Sequence, residues 1–142
     1  MKRTLGLTLL LFATLFSCMR QEKPLPAELS RAESVMWEHP DSALSILRSM
    51  PQSSLSSGKN YATWALLLAQ ARDKVYGKRL PDSLNIPSSD KLVQDAMDYF
   101  EKEGNLKRMA QTYYYKGQLL KDQKKITEAM PFFLKSKEMM TK

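Results

Sequence analysis

Apolar positions along residues 27–142 recur at three- and four-residue intervals, the period of a helix with one buried face. Residues 27–38 place Leu29, Ala32, Val35 and Met36 on one broad face. His39-Pro40-Asp41 then breaks the run, because proline disfavours helix at the residue before it and aspartate suits the next helix start. Residues 42–50 predict a short second helix, with Ala43, Leu44, Leu47 and Met50 at helical spacing, ended by Pro51. A serine-rich loop is expected over 52–57. Residues 60–76 are apolar on most sides: Tyr61, Trp64, Ala65, Leu67, Leu68 and Ala71 line one, and Ala62, Leu66 and Ala69 another. A helix of that kind sits between neighbours, so it is expected at the centre of the domain. Gly77, Pro81 and Pro87 make a loop of 77–87. Ser88 or Ser89 caps a fourth helix that runs to 103, with Leu92, Val93, Ala96, Met97 and Phe100 on its apolar face. Gly104-Asn105 is a helix stop and restart. Residues 106–122 and 125–140 complete six helices in three antiparallel pairs. No stretch shows sustained two-residue alternation, so the fold class is all-α.

The N-terminus follows a different rule. Lys2 and Arg3 precede a mostly apolar stretch of residues 5–16, the length of a signal-peptide core and short of the roughly 20 apolar residues that span a membrane. Leu15-Phe16-Ser17-Cys18 follows, and Cys18 is the one cysteine in 142 residues. No internal disulfide can form, so the domain relies on its apolar core. Removal of residues 1–17 leaves 125 residues, one domain's worth. Residues 18–26, with Arg20, Gln21, Glu22, Lys23 and two prolines, bury little and suit a tether. The net charge of +7 falls to +5 without Lys2 and Arg3. A basic balance raises nucleic acid as a partner. An exported chain argues against it, and Lys121, Lys124, Lys125, Lys135 and Lys137 fall on expected exposed faces. Weak attraction to anionic lipid or polysaccharide fits the charge better.

Little points to catalysis. His39 is the single histidine and lies in a turn, while a metal site needs three or four convergent ligands. Cys18 is committed elsewhere. Asp90, Asp95, Asp98, Glu101 and Glu103 cluster on the fourth helix, and Asp98 and Glu101, three apart, could share a face as a carboxylate pair. The simpler account is a solvated face opposite Leu92, Ala96, Met97 and Phe100. Neither a phosphate-binding glycine loop nor a serine elbow occurs. No enzyme activity, metal or cofactor is expected.

Residues 110–142 carry a more specific pattern: Tyr113, Gly117, Leu120, Ala129 and Phe133 alternate bulky and small at the spacing of a helix–turn–helix pair. Gly117 and Ala129 let two helices approach, and Tyr113, Leu120 and Phe133 fill the flanks. This stretch resembles one tetratricopeptide repeat. Ala96 and Phe100, with Ala65, fit a second repeat carrying an insertion, and 27–51 fits a degenerate first one. Ser136 stands for the usual alanine, Lys116 for leucine, Lys124 for the turn glycine and Thr141 for proline; Pro131 interrupts the last helix. Residues 15–18 resemble a bacterial lipobox. Together these features resemble tetratricopeptide lipoproteins of Gram-negative bacteria.

That resemblance implies a short α-solenoid of about three pairs over 27–142, behind a lipoprotein signal peptide (1–17) and a lipid-anchored tether (18–26). It implies lipidation of Cys18 and, with no aspartate after it, an outer membrane anchor facing the periplasm. The work implied is protein or peptide binding by a concave groove. Gln111, Tyr114, Gln118 and Lys121 face that groove in the family's frame, although Tyr114 could instead pack on the third helix. Tyr115 points away from Tyr113 toward a neighbouring helix. The lysine–asparagine pattern that clamps a terminal carboxylate is absent. No helix follows 125–140 in this chain, so Met139 and Met140 are expected at an uncovered apolar end: a homodimer surface, a partner's seat or the mark of a shortened gene. A shortened sensor module of a signalling protein and an accessory of an envelope polysaccharide system are the alternative readings.

Overall fold

Helix boundaries in this chain are set by a few capping residues, and the computed structural model, which describes residues 24–77 and 88–142, shows how. Among the described residues there are six α-helices and no strand: α1 (Ala27–Val35), α2 (Pro40–Ser49), α3 (Gly58–Tyr76), α4 (Ser89–Glu103), α5 (Leu106–Asp122) and α6 (Ile126–Met140). The signal segment, Cys18 and the tether up to residue 23 lie outside the described residues, as do 78–87 of the expected loop.

The polar caps are local and direct. Ser57 accepts a hydrogen bond from the Asn60 amide, Ser88 from that of Lys91 and Asn105 from that of Arg108, at 3.1, 3.3 and 3.1 Å. Gly104 closes α4 with φ of +76°, a left-handed conformation that costs glycine least. At the turn between α5 and α6 the same conformation falls on Lys124, with φ of +62°. The Lys125 amide there returns to the Leu120 carbonyl at 2.9 Å, closing the end of α5.

Three expectations are corrected. Helix α1 ends at Val35 rather than 38, and residues 36–38 form a turn that still buries Met36. Helix α2 starts at Pro40 rather than after it. In the first helical turn an amide N–H has no partner to lose, and the fixed φ of proline is already helical. The serine-rich loop holds a 3-10 turn, Gln52–Leu55, which sinks Leu55 into the core while the Asn60 side chain donates to the Ser54 carbonyl at 3.0 Å.

Each helix packs against the one before it, and α1 with α3 and α3 with α5 also touch. Cross-helix contacts give the directions. Between α3 and α4, Tyr61 donates to Asp95 while Gly58 lies against Tyr99. Between α4 and α5, Lys116 meets Asp90 and Tyr113 meets Glu101. Between α5 and α6, Ser136 meets Ala110 and Phe133 meets Gly117. In each pair one number rises as the other falls, so the neighbours run antiparallel.

Helix α3 holds the centre, as its apolar circumference requires. Ala62 through Ala71 are buried without interruption, and the Trp64 indole donates to the Leu47 carbonyl of α2 at 2.9 Å. Leu29, Leu47, Leu66, Leu67, Leu68, Leu92 and Phe100 pack into one core. Helix α6 lies outside that cluster and buries only Ala129 and Ser136. Among the described helices it packs on α5 alone.

Candidate functional site

The seam between α5 and α6 is built from small residues. Gly117 is buried against the Phe133 ring, where an added Cβ would stand 2.7 Å from the nearest ring carbon. Ala129 and Leu120 are buried. The Tyr113 ring lies 6.4 Å from that of Phe132, and its hydroxyl donates to Glu101 at 2.7 Å. Burial, and next that carboxylate, push the Tyr113 phenol up to about 12. Ser136 donates to the Ala110 carbonyl at 2.8 Å, so its hydroxyl becomes a buried tie between the two helices.

A groove lies at one end of this seam. Lys107, Ala110, Gln111 and Tyr114 of α5, with Ser136, Met139 and Met140 of α6, surround its volume of about 740 Å³ and present a largely apolar surface. Its remaining wall is Trp37, from the turn after α1. Arg108 brings that turn here. Its guanidinium grips Glu33 of α1 with two hydrogen bonds of 2.8 Å and donates to Gln111 at 3.1 Å. Trp37 is 75% exposed, and the Lys74 ammonium lies 3.4 Å from its ring centre. Tyr114 is 44% exposed and stands edge-on to Tyr115 and tilted on Phe133.

The four residues expected at a groove therefore divide. Gln111 and Tyr114 line it. Gln118 lines a second cavity of about 250 Å³, with Ala69, Asp73, Val93, Tyr115 and Asp122 among its walls. Lys121 donates to Gln118 at 2.6 Å. The division is axial: position 118 lies about 10 Å along the helix from 111 at a similar angle. Tyr115 is buried against α3, and burial followed by the Asp73 charge raises its phenol well above the ordinary value. Asp73 is raised in turn, first by burial and then by Asp122.

The carboxylates of α4 do not converge. Asp90 pairs with Lys116, Asp95 with Lys91 and the Tyr61 hydroxyl, Asp98 with the Gln94 amide and Glu101 with Tyr113. Bonding to the Lys91 ammonium holds the Asp95 carboxyl below the usual range. His39 is exposed at the start of α2. Among the described residues no three His, Cys, Asp or Glu side chains gather as a metal site, and no helix is long and apolar enough to cross a membrane.

Trp37, Lys107, Ala110, Ser136, Met139 and Met140 complete the groove and lie outside the expected groove residues. Trp37 had a signal: it lies off the Leu29–Ala32–Met36 face, an aromatic with no core position to fill. Compared with protein-family models, with curated proteins and with solved structures, the chain matches none.

Proposed function

We propose that this chain is a non-catalytic, tetratricopeptide-like lipoprotein that binds a protein or peptide segment in the groove between Trp37, α5 and α6. The groove carries the reading: Trp37, Tyr114, Met139 and Met140 present apolar surface to solvent in one concavity. Exposed aromatic and methionine side chains gathered in a concavity suit adaptable binding of another polypeptide's side chains. Helices packed each on the one before, with α1 against α3 and α3 against α5, support a short solenoid, as does the small–bulky contact of Gly117 with Phe133. The lipobox-like Leu15–Cys18 stretch supports an envelope anchor, at the outer membrane facing the periplasm. Gln111 remains in the proposed site. Gln118 and Lys121 leave it, because they line or border the other cavity.

Trp37 supplies its own test. The other tryptophan, Trp64, is buried, so a ligand in the groove changes chiefly the emission of Trp37. Peptides selected from a displayed random library on the purified chain are expected to shift that emission. Tyr114→Ala with Met139→Ala should weaken their binding by about tenfold or more, the loss of a central aromatic anchor. Selected peptides that bind without touching the emission and ignore both substitutions would place the site elsewhere.

A further inference from the structure

The side chains around the groove offer their polar groups largely in one sense. Lys107 is exposed on the first turn of α5 and makes no ion pair among the described residues. Gln111, one turn further, has its amide orientation fixed. Arg108 can only donate, so its contact at 3.1 Å takes the Gln111 carbonyl oxygen and leaves the NH2 group as a donor. Arg108 is itself held by its two bonds to Glu33, so this donor is in place before any ligand arrives. The Trp37 indole N–H, also a donor, has no acceptor among the described residues. Ser136 is tied inward to the Ala110 carbonyl, and the Tyr114 hydroxyl can serve either way. No aspartate or glutamate stands among the described walls.

Charge points in the same direction. The Lys74 ammonium lies 3.4 Å from the Trp37 ring centre, so a cation accompanies the Trp37 wall as Lys107 does the α5 wall. Glu33, which could offset them, is taken up by Arg108 in an ion pair at 2.8 Å. Glu138, near the end of α6, is engaged by Lys142. Glu38, next to Trp37 in sequence, is exposed and is not a wall of the groove.

On the strength of the groove's reading as a polypeptide site, we infer that its occupant is a segment in which an aspartate or glutamate side chain stands beside an apolar one. The apolar side chain packs among Trp37, Tyr114, Met139 and Met140. The carboxylate accepts from Lys107 and Gln111. These are four apart on α5, where neighbours stand about 5–6 Å from each other, so one carboxylate can bridge the ammonium and the amide. A basic segment meets two cations and no acid in the same place, which selects against it.

Selection on the purified full chain tests this. A random peptide library displayed with its C-termini fused removes the chain-terminal carboxylate, so an enriched acid is a side chain. The native chain should enrich aspartate or glutamate next to an aromatic residue, leucine or methionine. Lys107→Glu should reverse that preference to lysine or arginine. A selected peptide should shift the Trp37 emission, and changing its acid to the matching amide should weaken binding about fivefold at low salt, the value of one partly exposed charge pair. On Lys107→Ala the acid and amide peptides should bind alike. Peptides that shift the emission without carrying an acid, or that keep the acid-to-amide difference on Lys107→Ala, would overturn the acidic preference and leave the groove as the site. Peptides that ignore both the emission and Tyr114→Ala with Met139→Ala would remove the groove reading, and the acidic occupant with it. Helicity measured by circular dichroism confirms that each variant is folded.

Discussion

Gly117 shows how one atom decides an element's position. Replacing a glycine inside a helix with alanine ordinarily gains about 1 kcal/mol, because the free chain loses conformational freedom. Here the new methyl would stand 2.7 Å from the Phe133 ring, so α6 must move or the ring must turn. Overpacking of that kind costs about 1–3 kcal/mol. Gly117→Ala is expected to lower stability by about 1 kcal/mol net in chemical denaturation, and Phe133→Leu should relieve most of that loss when combined with it. A gain on Gly117→Ala would mean the seam is looser than described. Asp73 makes the opposite kind of prediction. Its carboxyl is raised above 3.8 by burial and by Asp122, so the folded chain holds that proton more tightly than the unfolded chain. The charged form therefore costs stability at neutral pH, and the cost disappears as pH falls below about 3.8. Asp73→Asn should raise the melting temperature at pH 7, with the difference from the native chain shrinking to nothing in acid. An equal gain at both pH values would place the cause in packing rather than charge.

At the scale of elements, the decisive tie is the Arg108–Glu33 pair, which joins the first helix to the fifth across 75 residues of sequence. Arg108 is buried and Glu33 partly so. Removing the acid leaves a guanidinium with two lost bonds in a site largely closed to water. Glu33→Ala should cost about 2 kcal/mol, less than a fully buried pair because Glu33 keeps some exposure. Arg108→Met added to it should recover part of the loss, and simple additivity in thermal unfolding would deny the coupling. No sequence pattern announces such a pair, since its partners share no period. Helix starts at Ser88 and Asn105 were legible because a cap bonds within three residues, whereas the third helix begins at Gly58 behind Ser57, two residues before the expected 60. Pro40 misleads for a local reason, reading as a breaker where it sits comfortably as the first helical residue. Leu55 misleads for a tertiary one: a serine-rich stretch looks like loop until a single leucine is drawn into the core.

Over the whole molecule, the apolar surface is unevenly placed. A core centred on α3 absorbs the first four helices, and among the described residues the exposed large hydrophobics collect on Trp37 and the last two helices. The helical class and the six elements could be read from periodicity alone. The groove could be read only in part. The repeat frame reached Gln111 and Tyr114, which one face of α5 carries, but Trp37 depends on the Glu33–Arg108 tie and Met139 on where α6 ends. Gln118 lines the other cavity and Lys121 bonds to it, because equal angle on a helix does not mean an equal position along it. The central claim is that this groove holds another polypeptide. The most direct measurement is in-cell crosslinking with affinity capture and mass spectrometry on three forms: the native chain, Trp37→Ala with Tyr114→Ala, and Gln118→Ala. The account predicts a partner crosslinked to the native chain and to Gln118→Ala but lost from Trp37→Ala with Tyr114→Ala. A partner kept by the groove variant and lost from Gln118→Ala would contradict it and move the binding site to the cavity beside Asp73.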